Sequence, residues 1–342
     1  VLAACSLSGC GNDGSIDGSS SSGSVSAEPV SPQIATLKLK SSLDKIRDAE
    51  SYELFTDFTS DLSLETNVND VVSLSEFISE GDILVSSIKQ DSFTNQVIEL
   101  DGEGVYTDEL QEETDVGFGF DLYQYQGESY LNIIPSAELF ALFDIPLLQS
   151  RIRFQMDDLI DEIIQLLEDM GILDPNDPLL EPISIDIFDL LPSPVATSLG
   201  SFITIRYTMT KEALVHLVYG WILAQQGIDI STLPLDEVNT TETAILTELT
   251  EVKIRAFTLE FRISVLDQFV HFKISADVTN TIYEERYEEN SERIMTRYRQ
   301  HVIWNSTTVL LSLDEPLDIR FPSNLSEYTP IDIAFLLDLF NR

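Results

Sequence analysis

Apolar and polar residues alternate in three long runs of this chain. From Tyr52 to Leu64, the residues Tyr52, Leu54, Phe58, Leu62 and Leu64 fall on one side, while Glu53, Asp57 and Asp61 fall on the other. Phe257, Leu259, Phe261, Ile263 and Val265 repeat the pattern, and Val270, Phe272, Ile274, Ala276 and Val278 repeat it again after a short turn. A period of two fits an extended strand with one buried face and one wet face, which belongs to antiparallel sheets. Further strands are expected around 82–89, 94–100, 117–125, 129–134, 294–304 and 307–313, with Gln126-Gly127 as a hairpin turn.

Helical spacing appears in four places. Leu39, Leu43, Ile46 and Ala49 recur over 34–49, a stretch that also carries Lys38, Lys40, Lys45 and Arg47. Residues 151–170 repeat apolar positions up to Gly171, and a Pro- and Asp-rich passage follows over 173–194. Thr210 caps a helix to about Gln226 with Leu214, Leu217, Val218, Trp221 and Ile222 facing inward, and Thr329-Pro330 opens a very apolar last helix over 331–340.

Charge narrows the partners. The 342 residues include 19 Lys and Arg against 59 Asp and Glu, a formal net charge of −40. Nucleic acid is excluded as a partner, since binding phosphates needs cations that displace counterions. The two cysteines, Cys5 and Cys10, sit in the first ten residues, so no disulfide framework supports the body.

The opening residues, Val1 to Ala4 before Cys5 and Leu7-Ser8-Gly9 before Cys10, read as the tail of an apolar signal segment over 1–10. Residues 11–32, rich in Gly, Ser and Asp, then form a flexible tether. Leu7-Ser8-Gly9-Cys10 resembles the lipobox of bacterial lipoproteins, and Leu2-Ala3-Ala4-Cys5 fits the same pattern. The resemblance implies a diacylglycerol on the cysteine that follows the cleavage point. Cys10 is preferred over Cys5 because the sequence turns polar at Gly11. A lipid-anchored protein with its body outside the cytoplasm, in the cell envelope, is therefore expected.

The body, residues 33–342, resembles the LolA/LppX-type envelope lipoproteins in the order of its parts. The tether, the amphipathic segment ending in Ala49-Glu50-Ser51-Tyr52, the long alternating strand, the late hairpin and Leu317 to Pro322 carry the likeness. It implies an α+β fold, a curved antiparallel sheet or half-barrel covered by amphipathic helices, with an apolar cavity between the layers. Leu54, Phe58, Leu62, Phe257, Phe261, Phe272 and Ile274 are then the candidate ligand-binding residues.

Catalytic chemistry is not expected. His216, His271 and His301 lack metal-ligand spacing, and His271 and His301 fall on polar strand positions where a solvated ring is the simplest reading. No GxSxG elbow, phosphate-binding loop or dinucleotide glycine pattern occurs. The expectation is a protein without metal or cofactor. It holds the membrane through its lipid and binds an apolar ligand or client protein between sheet and helices. The alternative is a surface interaction or structural lipoprotein with a filled core.

Overall fold

Alternation at the sequence level becomes one continuous sheet. A computed structural model describes residues 27–69, 71–90, 93–126, 128–135, 151–155, 186–225, 227–287 and 293–330. Its strands are β1 Glu28–Val30, β2 Ser51–Val68, β3 Val71–Gln90, β4 Phe93–Thr107, β5 Glu113–Tyr125, β6 Glu128–Pro135 and β7 Arg151–Gln155. Then come β8 Val195–Leu199, β9 Phe202–Thr208, β10 Lys253–Ser264, β11 Phe269–Tyr287, β12 Arg293–Leu313 and β13 Thr329–Pro330. The described helices are α1 Pro32–Asp48, α2 Ile187–Leu190, α3 Lys211–Gln225 and α4 Leu235–Glu248.

The spatial order is β1-β8-β9-β10-β11-β12-β2-β3-β4-β5-β6-β7-β13. Pairing is antiparallel throughout except for β13 against β7. Two meanders, one from each half of the sequence, meet where β12 pairs with β2 from Thr296↔Val68 to Leu313↔Tyr52. Directly opposed residues share a face, so the register carries each strand's apolar side into its neighbour's. Leu54 faces Leu310 on one side and Val85 on the other, and Phe261 faces Phe272.

α1 begins where Ser31 Oγ accepts a hydrogen bond from the Ile34 N–H at 3.4 Å, with Pro32 in the first turn. Its buried Ala35, Leu39 and Ser42 lie at helical spacing and settle against β8 to β11. The main core joins Ala35 and Leu39 to Leu54, Val85, Ile205, Tyr207, Phe261 and Phe272. The cations of α1 tie it down at both ends. Lys38 pairs with Asp267 at 2.6 Å, Lys45 Nζ donates to the Leu266 and Asp267 carbonyls, and Lys40 pairs with Asp186 and Asp189 beside α2.

The expected helix-covered half-barrel of α+β type is overturned. A 13-stranded sheet dominates the molecule, α1 covers only its β8–β11 side, and α2, α3 and α4 pack chiefly on one another. The reason is one of dimension: a 17-residue helix is about 25 Å long, whereas a 21-residue strand approaches about 70 Å. One such helix cannot cover a sheet this large.

Other expectations change locally. Residues 151–155 form a strand instead of a helix start, and the end of the tether expected over 11–32 is ordered, with Glu28–Val30 forming β1 and Pro32 opening α1; residues 11–26 of that tether, both cysteines, 156–170 and the helix expected over 331–340 lie outside the described residues. The two strands expected over 294–304 and 307–313 are one, β12. α3 is capped by Thr210 as expected, its Oγ1 accepting from the Ala213 N–H at 3.2 Å. Val218 and Trp221, expected to face inward, are exposed, while Val215, Leu223 and Ala224 are buried.

Candidate functional site

Five strands, β2 to β5 and β12, line a cleft on the polar face. Asp57 on β2 stands directly opposite Asp82 on β3, and Asp82 stands opposite Asp101 on β4. One step along, Glu80 is paired with Glu103. These five carboxylates line a cleft of about 780 Å³ whose floor includes the backbone of Gly81, Gly102 and Gly117. A second cleft of about 640 Å³ shares Glu80, Glu103 and Gly117 with it and continues past Ile78, Val105 and Asp115.

Gly81 and Gly102 belong to the opposite face, whereas Gly117 pairs with Glu103 on the acidic one. Phe58, Gly81, Gly102 and Phe118 form one row across β2 to β5. A Cβ on Gly81 would stand 2.5 Å from the Asp101 carbonyl oxygen and 2.9 Å from the Phe58 ring, and one on Gly102 would stand 2.6 Å from the Phe118 ring. The aromatic rings thus occupy the space that side chains at 81 and 102 would fill. Phe58 in turn stacks on Trp304, with centroids 5.0 Å apart and planes 7° apart.

Among the described residues, none of Asp57, Glu80, Asp82, Asp101 and Glu103 forms an ion pair. Partial burial holds the Asp82 carboxyl above its ordinary range, and the charges of Asp57, Asp101 and Glu80 push it further. Glu99, beyond this row on β4, is raised in the same direction by burial first and then by Asp121 and Glu53. Directly opposed like charges destabilise a sheet. Such an array attracts cations, and it contains no nucleophile with an adjacent base.

The seven residues expected to line an apolar cavity do share one face, because the register runs Phe58↔Ser306↔Ile274 and Phe261↔Phe272↔Thr308↔Thr56. Leu54, Phe261 and Phe272 are buried in the main core with α1, and Phe257 and Ile274 pack against it half-buried. The rings of Phe261 and Phe272 stack with centroids 4.4 Å apart. Phe58 is buried against Trp304, and Leu62 stands 42% exposed farther along β2. The acidic row was not singled out from sequence. Its signal was the recurrence of Gly with Asp or Glu in Gly81-Asp82 and Asp101-Gly102-Glu103-Gly104, which pairs only once the register is known.

His271 and His301 fall on the polar face of the sheet as expected, but neither ring is freely solvated. His271 is substantially buried, and its Nε2 makes no hydrogen bond among the described residues, with the Glu260 carboxylate 4.0 Å away. His301 Nε2 lies 2.8 Å from Asp277 Oδ1, and His216 Nδ1 lies 2.7 Å from Glu242 Oε1. No group of three or more His, Cys, Asp and Glu side chains among the described residues has metal-binding geometry. No described helix is long and apolar enough to cross a membrane.

The polar face near β5 and β6 is closed by the chain's later residues. Phe321 packs on Tyr125 with centroids 4.9 Å apart, and Tyr328 meets Tyr130 edge-on at 5.5 Å. Burial raises the Tyr123 hydroxyl well above the ordinary phenol range and pushes that of Tyr328 in the same direction.

No family model matches the chain, and no curated protein matches it. Two solved structures are distantly similar. The crystal structure of Pseudomonas aeruginosa OccK7 (OpdD) is 6% identical, with 77% of this chain and 100% of that one covered and a TM-score of 0.21. That of Pseudomonas aeruginosa OpdQ is 9% identical, with 79% and 72% covered and a TM-score of 0.17. Superpositions this loose carry no argument about fold or function.

Proposed function

We propose that this protein is a lipid-anchored surface interaction protein of the cell envelope. It holds its membrane through an acylated Cys10 and works through the polar face of its sheet. The observation that carries the reading is the open cleft of about 780 Å³ walled by five unpaired carboxylates. It lies across the sheet from side chains packed tightly enough to leave a filled core. Of the seven residues expected to receive an apolar ligand, Leu54, Phe261 and Phe272 are each at most 7% exposed beneath α1. This favours the filled-core alternative over an apolar carrier. Anionic walls of this kind select a cationic partner and speed its encounter, an effect that salt suppresses.

Binding of a fluorescent lysine-rich peptide tests the reading. Saturable binding that weakens steeply with added salt, and that weakens again in Asp82→Asn/Asp101→Asn protein, is expected. Native mass spectrometry after gentle extraction should find diacylglycerol on Cys10 and no stoichiometric apolar ligand in the body. A stoichiometric lipid held by the body would restore the carrier reading.

A further inference from the structure

The polar face is electrically divided along the seam where β12 meets β2. Strands β2 to β5 contain a single Lys or Arg, Lys89, whose ammonium is taken by the Arg47 carbonyl of α1. The acidic half therefore has no cation of its own on this face, although Glu65 near the end of β2 is answered across the seam by Arg297 and Arg299 of β12. Across the seam, β9 to β11 present Arg206, Arg262 and Lys273 on the same face, with His271 between the last two. The acids among them are already engaged, Glu260 by Arg206 and Asp277 by His301.

Register makes the division geometrically exchangeable. Lys273, Thr307, Asp57 and Asp82 form one straight row across β11, β12, β2 and β3. The adjoining row on the same face runs Arg262, His271, Val309, Phe55, Leu84 and Glu99 across β10 to β4. Lys273 and Asp82 are each one strand out from the seam pair, and Arg262 and Glu99 are each two strands out. A two-fold axis laid along the seam, parallel to the strands, carries Asp82 of one molecule over Lys273 of the other and Glu99 over Arg262. It does so reciprocally, as an isologous interface requires.

We infer that a second copy of this chain packs on this polar face about that axis, each acidic half lying over the other's cationic half. The inference rests on the interaction-face reading above and names its partner. Lys273, Asp82 and Glu99 are exposed, and Arg262 is held in place over the Phe202 ring, 4.3 Å from its centroid. Asp82 and Glu99 are the two carboxyls of this face raised by burial and like-charged neighbours, and a facing cation relieves both. The twist between neighbouring strands, about 20–25°, confines the match to the strands nearest the seam, as in aligned sheet packing. Glu260 comes over Asp101 in this arrangement, but Arg206 already neutralises it. The net charge of −40 opposes association at long range. At about 0.15 M salt the screening length is about 8 Å, so contact pairs outlast that repulsion.

Sedimentation equilibrium of the full chain tests this. A dimer is expected at physiological salt, with its dissociation constant rising roughly tenfold or more at about 1 M salt. Lys273→Glu and Asp82→Lys should each weaken the dimer about tenfold, and the Lys273→Glu/Asp82→Lys double variant should return to within about threefold of the original. Both sites are exposed, and circular dichroism checks that each variant is folded. A monomer at physiological salt, single variants without effect, or no recovery in the double variant would overturn the inference. A strictly monomeric protein that still binds the lysine-rich peptide removes the self-pairing and leaves the interaction-face reading intact.

Discussion

Asp82 and Asp101 stand directly opposite each other across β3 and β4, with Asp57 on the far side of Asp82 and no cation paired to any of the three among the described residues. The arrangement costs stability whenever the carboxyls are charged. Asp82 has a folded-state pKa above its ordinary value, so its contribution to stability is fully present below that ordinary value. It is lost as pH rises through the raised one. Asp82→Asn is therefore expected to stabilise the fold at pH 7 by about 0.2–1 kcal/mol and to change little at about pH 3. Urea unfolding at both pH values measures this, and equal effects at the two would contradict it.

Two glycines, Gly81 behind this row and Gly117 on its own face, make a steric prediction. Gly81→Ala forces a methyl to within 2.5 Å of the Asp101 carbonyl oxygen, whereas the corresponding position at Gly117 has nothing within 4 Å. Overpacking of this kind costs about 1–3 kcal/mol, while an alanine in open strand is neutral or slightly favourable. A melting temperature lowered at 81 and unchanged or raised at 117 is the expected pair of results.

The stacked pair Phe261 and Phe272 belongs to the core shared with α1. Truncating Phe261 to alanine should cost about 3–5 kcal/mol, and Leu54→Ala about 2–5 kcal/mol. Leu62→Ala, at a position 42% exposed, should stay within about 0.5 kcal/mol. Denaturant midpoints separate these outcomes. A small effect at Phe261 would mean that its ring lines open space after all.

The strands were legible in the sequence because alternation depends on residues two apart, and α1 because Leu39, Leu43 and Ile46 recur at helical spacing, although its cap at Ser31 and Pro32 lay in what reads as tether. What alternation cannot supply is the extent of the sheet or the partner of each strand. Nothing local in Asp57, Asp82 or Asp101 announces that they form a row. The row exists because an 18-residue strand and a 20-residue strand pair over their whole lengths. The burial of Phe261 was equally legible, but its role was not, since a pocket wall and a core look alike until the covering element is known. α4 escaped notice because its first turns, Leu235 to Thr241, are mostly polar.

His271 gives the last prediction, with the opposite sign to Asp82. Burial lowers its pKa below the ordinary 6.5, and Lys273 and Arg262 lower it further, while Glu260 opposes them. The other groups on this face nearest to it are Arg206, one strand beyond Glu260, and Asp57, two strands away beside Thr307. A histidine depressed in the folded state stabilises the fold above its unfolded pKa, and that contribution disappears as pH falls through the folded value. Replacing it with glutamine removes the titration and keeps a polar side chain. His271→Gln protein should lose less stability than the original between about pH 7.5 and pH 5, whatever its stability at neutral pH. The ring's Cε1 resonance, followed by NMR across that range, should shift with a midpoint below 6.5. A midpoint above 6.5 would mean that the Glu260 carboxylate outweighs both the burial of the ring and the two cations beside it.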